Sequence, residues 1–155
     1  MFERCLYFNT QALARSVEKI WREAYAQVGL SPSHAYIVRA VLQQPGINMS
    51  ELAQTLNLDK STLTRLVDKL EQQALLQRQT EGQSRQRCLR PTPAAEALGP
   101  ELEAIGQRLF EHVQTTVSSA ELSAFPYQAA AIRQQLADSL PNTANHAHTP
   151  SHPEE

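Results

Sequence analysis

The stretch Asn48-Met-Ser-Glu51-Leu-Ala-Gln-Thr-Leu-Asn-Leu-Asp59-Lys-Ser-Thr-Leu-Thr-Arg65-Leu-Val-Asp-Lys-Leu70-Glu71 decides the fold. Asn48 with Glu51 three residues on is a capping-box pattern, and it opens a short helix with Leu52, Ala53 and Leu56 facing inward. Asn57-Leu58 makes a turn, and Asp59 caps a second helix, where its carboxylate also suits the positive end of the helix dipole. The second helix carries an apolar stripe at Leu63, Leu66, Val67 and Leu70. Its other side offers Lys60, Ser61, Thr62, Thr64 and Arg65. One side of such a helix docks on a core, while the other has the hydroxyls and cations that suit a DNA groove.

Immediately downstream, Leu75 to Gln79 and Arg87 to Arg90 are short strand candidates. The polar link from Thr80 to Gln86, with Gly82, Ser84 and Arg85 at its tip, suits a hairpin loop. Ala74 stands where glycine is the usual helix stop. Between Asn57 and Pro91, seven cations (Lys60, Arg65, Lys69, Arg78, Arg85, Arg87 and Arg90) face four anions. The segment therefore has an excess of three positive charges, and with a net charge of -2 overall the remainder carries -5. Phosphate contacts need local cations rather than a basic chain, so this is a plausible DNA footprint.

Upstream, apolar residues at Leu6, Leu13, Val17, Ile20, Trp21, Ala24 and Val28 keep a 3.6-residue period, predicting a helix from about Glu3 to Val28 and a stop at Gly29. Ser31-Pro32 starts the next helix, with Tyr36, Ile37, Ala40 and Val41 as its apolar face and Pro45-Gly46 ending it. Downstream, Thr92 caps a long helix whose stripe is Leu98, Leu102, Ile105, Leu109, Phe110 and Val113. Gly99-Pro100 predicts a kink or break within it. Ser118 to Glu121 is a further capping box before a last helical segment, Leu122 to Leu140, where Pro126 predicts a kink or restart. From 141 the composition turns to Pro, Asn, Thr, Ala and His, and a flexible tail is expected.

The composition excludes several classes. There is no apolar run of membrane-spanning length and no secretory pattern at the N-terminus, so a cytoplasmic location is expected. Cys5 and Cys88 lack metal-ligand spacing, and His146, His148 and His152 lie in the tail, so no metal is expected. No nucleophile motif, dinucleotide fingerprint, phosphate-binding glycine loop or HExxH occurs, so neither an enzyme nor a cofactor is expected.

The order helix, helix, short helix, long helix, hairpin, long helix, helix resembles the MarR family of winged-helix transcription regulators. The resemblance rests on 48–56 for the first helix of the helix-turn-helix, 60–78 for the recognition helix and first wing strand, and 92–98 for the entry into the fifth helix. It implies a mainly α fold with a small β wing. The winged helix-turn-helix lobe would span 30–92, with helices at 3–28 and 93–140 for dimerisation and a tail at 141–155. The function it implies is a homodimeric regulator, a repressor that reads an inverted repeat in double-stranded DNA and is released by an unknown small molecule.

Carried over by position, Lys60, Ser61, Thr62, Thr64, Arg65 and Lys69 fall on the recognition helix, with Arg85 and Arg87 on the wing. Trp21, Tyr25, His34, Tyr36 and Arg39 lie in segments that line the family's ligand pocket. Cys5, followed by Leu6-Tyr7-Phe8, has the flavour of the family's oxidant-sensing cysteines, against the simpler reading of a packed thiol. A second class stays open, a protein-interaction module that keeps the fold without binding DNA. Three departures bear on the wing. Gln83 stands where the family has an Asp holding the wing-tip Arg, Pro91 stands for Leu, and Ala95 stands for Gly. A looser wing is expected from them.

Overall fold

The computed structural model describes residues 1–80 and 87–139, and Gly82, Gln83, Ser84 and Arg85 of the expected wing tip and the tail from 141 lie outside them. Among the described residues the elements run α1 Leu6–Ala26, α2 Pro32–Gln43, α3 Met49–Leu56, α4 Lys60–Gln72, β1 Leu76–Thr80, β2 Arg87–Pro91, α5 Pro93–Thr116 and α6 Ser119–Ser139. The chain divides into two compact units, Met1–His112 and Val113 onward. The architecture is mainly α with one two-stranded antiparallel wing, as expected. No described helix is long and apolar enough to cross a membrane.

The core lies in the first unit. Ala35, Ile37, Val38 and Val41 of α2, Leu52 of α3, Leu63, Val67 and Leu70 of α4, Leu89 of β2 and Leu102 of α5 are all fully buried. Each such Val, Leu or Ile side chain contributes about 1.5–3 kcal/mol by leaving water. Tyr36 departs from the expected α2 face. It is 41% exposed, and Ala35 and Val38 take the inward positions instead.

Most helix starts follow the caps read from sequence. Ser31 accepts the His34 N–H with Pro32 in the first turn, and Asn48 Oδ1 accepts from the N–H groups of Ser50 and Glu51. The Glu51 carboxylate takes the side-chain amides of Gln44 (2.8 Å) and Asn48 (3.4 Å), linking the end of α2 to the start of α3. Helix α1 begins three residues later than its periodicity suggested. Asn9 Nδ2 bonds back to the carbonyls of Phe2, Glu3 and Cys5 and folds the first five residues into a turn.

Among the described residues, two non-glycine residues adopt left-handed backbone, and both lie at the ends of helices. Asn57 (φ 53°) terminates α3, and Ala74 (φ 54°) follows α4. Asn tolerates this region, whereas the Ala Cβ crowds the backbone there. Ala74→Gly is therefore expected to raise the unfolding free energy by about 0.5–1 kcal/mol, seen as a higher urea midpoint at unchanged slope. A lower midpoint would show that the glycine's extra freedom in the unfolded chain outweighs the relieved strain.

In the wing, Leu76 pairs with Pro91 and Arg78 with Leu89. A further rung flanks β2 on its other side, where Leu89 N–H donates to Ile47 O (2.9 Å) and Gly46 N–H donates to Leu89 O (2.8 Å). This rung resolves the matter of Pro91. Because N–H directions alternate along a strand, Pro91 shares the side of Leu89, facing away from β1, and its missing donor costs the hairpin no bond. Thr92 then closes the wing. Its N–H donates to Leu75 O (3.0 Å), its hydroxyl donates to Ala74 O (2.7 Å), and the same oxygen accepts the Ala95 N–H (3.3 Å). The described part of the wing keeps these hydrogen bonds with Pro91 in place, Ala95 is fully buried in the first turn of α5, and Gln83 lies outside the described residues.

Neither proline breaks its helix. α5 runs through Pro100 and α6 through Pro126. Pro100 and Glu96, whose carbonyl loses its partner, are both exposed, so water can satisfy the carbonyl. Ser118 caps α6, accepting the Glu121 N–H (3.3 Å).

A titratable imidazole sits in the core. His34 is 6% exposed, with Nδ1 2.7 Å from Ser31 Oγ. Burial pushes the imidazole below its ordinary value of 6.5, and the Lys69 charge acts in the same direction. The folded chain therefore resists a proton that the unfolded chain accepts. The resulting stability is complete above the unfolded value and is lost as pH falls through it towards the folded one. The thermal midpoint is expected to drop between about pH 7.5 and about pH 5.5, and the drop should shrink in His34→Asn. Parallel pH profiles for the two proteins would remove His34 as the cause.

Candidate nucleic-acid interface

Helix α4 divides as its sequence indicates. Leu63, Val67 and Leu70 are fully buried, Leu66 is half-buried, and Lys60, Ser61, Thr64, Arg65 and Lys69 are exposed. Thr62 is half-buried at the border between the two sides. Asp59 organises the first turn. One carboxylate oxygen accepts the Thr62 N–H (2.8 Å) and the Ser61 hydroxyl (2.5 Å), and the other accepts the Thr62 hydroxyl (2.6 Å). These hydroxyl donors, Ser61 first, hold the Asp59 carboxyl well below the usual carboxylate range.

The consequence for recognition is chemical. The Ser61 and Thr62 protons point at Asp59, and the Thr64 hydroxyl donates to Lys60 O (2.7 Å). In this arrangement all three oxygens have lone pairs to offer, which complement the amino groups of cytosine and adenine in the major groove. Arg65 and Lys60 supply donors, which suit guanine or phosphate. Among the described residues no ion pair engages Arg65.

Between α3, α4 and the wing lies a hollow of about 260 Å³ lined by Met49, Lys60, Thr64, Asp68, Arg78 and Arg87. Arg87 is exposed on β2. Lys69 stands near the far end of α4 and is the charge that acts on buried His34. Arg85 lies outside the described residues.

Arg78, one of the seven cations of the basic segment, is committed within the fold. Its guanidinium bonds Asp68 (2.8 Å) and Glu71, while its backbone N–H donates to Glu71 Oε1 (2.9 Å). Two features of the sequence could have disclosed this. Asp68 and Glu71 are three apart and share a helix face, and Arg78 lies two residues from buried Leu76, on the inward side of β1.

The α1–α2 residues assigned to a ligand pocket form a connected group, with one exception. Trp21 Nε1 donates to the Tyr36 hydroxyl (3.2 Å), the Tyr25 and Tyr36 rings meet edge to face (6.3 Å), and Arg39 lies over the Tyr36 ring (5.6 Å). Arg39 also makes a bidentate pair with Glu103 of α5 (3.0 and 2.9 Å). Gly106 makes room for it, since a Cβ there would stand 3.0 Å from the guanidinium. Tyr25 is fully buried, and burial raises its hydroxyl pKa. His34 is the exception, bonded to Ser31 instead. Cys5 is exposed and Cys88 buried.

Residues 28–87 match the MarR family. A protein of Thauera aromatica, named as a candidate transcriptional regulatory protein for the hcr operon, is 28% identical over 94 residues, covering 60% of this chain and 57% of that protein. The repressor CouR bound to a 23-mer DNA duplex is structurally similar, with a TM-score of 0.76 at 19% identity over 85% of this chain and 94% of CouR. The Staphylococcus aureus MepR–DNA complex gives 0.76 at 15% identity, over 86% of this chain and 99% of MepR. With the helix-turn-helix at 48–72 and the wing pairing 76–80 with 87–91, the chain has a winged-helix fold like that of CouR and MepR, and its residues 28–87 are similar to the MarR family.

Proposed function

We propose that the chain is a sequence-specific, double-stranded DNA-binding transcription regulator of the cytoplasm, acting as a repressor. The observation that carries this reading is α4 itself, buried along Leu63, Val67 and Leu70 while Lys60, Ser61, Thr64 and Arg65 stand exposed beside a cation-lined hollow. Such a helix lies in the major groove with its N-terminal residues at the base edges. The likeness in fold to CouR and MepR, each described with DNA, supports it. In this reading Lys60 and Arg65 contact guanine or phosphate, the hydroxyls of Ser61, Thr62 and Thr64 accept from base amino groups, and Lys69 and Arg87 lie along the backbone. Arg85 enters the minor groove.

The regulator works as a homodimer, with the lobe at 30–92 and the helices at 3–28 and 93–140 joining two copies. Exposed apolar side chains support this on both units, with Leu6, Leu13 and Val17 along α1 and Phe125, Ile132 and Leu136 along α6. Two lobes related by a twofold axis read an inverted repeat with half-sites about one DNA turn apart. Release by a small molecule is assigned to the Trp21, Tyr25, Tyr36 and Arg39 group, with His34 nearby in sequence.

Selection from random-sequence DNA, followed by fluorescence anisotropy of the recovered duplex, tests the reading. Enrichment of an inverted repeat, bound with a steep salt dependence, is the expected result. Failure to enrich any sequence would favour a winged-helix protein-interaction module instead.

A further inference from the structure

The Arg78 cluster is unlike the other charged groups near α4, because its cation is mostly covered although it also lines the hollow between α4 and the wing. Its side chain is only 21% exposed and sits on the core-facing side of β1 with buried Leu76. A guanidinium in that position is costly unless its donors are matched, and both carboxylates come from the recognition helix itself. Asp68 and Glu71 are neighbours on one face of α4, so without a cation between them they repel each other. They would also place two negative charges on the helix that carries Lys60 and Arg65, and Asp68 lines the same hollow as Lys60 and Arg87. Glu71 makes the joint more rigid by holding the Arg78 backbone N–H as well as its side chain, which fixes the strand and not merely the charge.

We propose that Arg78 is a positioning residue for DNA engagement, touching no phosphate itself. It fixes the wing at one angle to the recognition helix and cancels the Asp68–Glu71 charge beside the groove-facing side. The inference rests on the DNA-binding reading above. Its distinguishing feature is that affinity depends on Arg78 while the number of phosphate contacts does not.

The test is anisotropy of the full chain against the selected fluorescent duplex at several salt concentrations, with thermal melts to confirm that each variant is folded. Arg78→Gln is expected to bind at least about tenfold more weakly, with the slope of log affinity against log salt unchanged. A direct phosphate contact would instead flatten the slope by about 0.9. Arg78→Lys keeps the charge but loses the two-pronged geometry, and should recover only part of the affinity. Adding Asp68→Asn and Glu71→Gln to Arg78→Gln should restore part of the loss by removing the uncancelled charge. A flattened slope in Arg78→Gln, or wild-type affinity in that variant, would overturn the proposal alone. A wild-type chain that binds no duplex would overturn the DNA-binding reading, and this inference with it.

Discussion

Arg65→Ala is expected to weaken binding to the selected duplex by between about five- and 150-fold, the range of one lost bidentate base contact. Arg65 is chosen over Lys60 because of its place and its chemistry. It is exposed on the second turn of α4, two residues beyond buried Leu63, and no described ion pair competes for its guanidinium. Its fork can meet two acceptors on a single guanine, which the Lys60 ammonium cannot do as specifically. Arg65→Lys separates the two contributions. It should keep most of the salt dependence and lose discrimination at one base position in each half-site. Wild-type affinity in Arg65→Ala would remove this side chain from the interface, whereas a loss equal on every DNA sequence would reassign it to a phosphate.

The largest effect on stability is expected at Leu70. Its side chain is fully buried, so truncation to alanine removes apolar contacts and leaves a cavity in the core below α4. Leu70→Ala should lower the unfolding free energy by about 2–5 kcal/mol, and Leu66→Ala, at a half-buried position on the same helix, distinctly less. Urea denaturation at a fixed protein concentration measures both, because the stability of the proposed dimer would depend on concentration. A cost below about 1 kcal/mol at Leu70 would mean that the end of α4 is held by its backbone and salt bridges rather than by the core.

The helices were legible because their burial is periodic. The stripe Leu63, Val67 and Leu70, and the caps Ser31, Asn48, Asp59 and Ser118, are local signals that tertiary contacts reinforced. What escaped the sequence reading is non-local. Pro100 and Pro126 read as a kink or a break, yet both helices run through them, and Pro100 lies on an exposed face. Pro91 looked harmful because the rung from Leu89 to Ile47, 42 positions away, cannot be read from neighbouring residues. Tyr36 follows the apolar period but lies at the surface, where its hydroxyl accepts from Trp21 and its ring carries Arg39.

The candidate site shows the same division. The exposed residues of α4 were legible as a group, because a helix with one buried stripe leaves only one face for them. The state of each side chain was not. Ser61 and Thr62 are turned towards Asp59, and Arg78 is drawn onto Asp68 and Glu71 and mostly covered, through hydrogen bonds that depend on side-chain direction. A charge count treats Arg78 and Arg65 alike, whereas burial separates them.

Thr92 has a mechanical consequence. One hydroxyl oxygen touches the residue that ends the recognition helix and the first turn of α5. The two segments are thus pinned together through Thr92, at the base of the wing. Any pivot of α5 about its start must drag Ala74 along or shear the Thr92 bond, so the recognition helix has a lever attached at its C-terminal end.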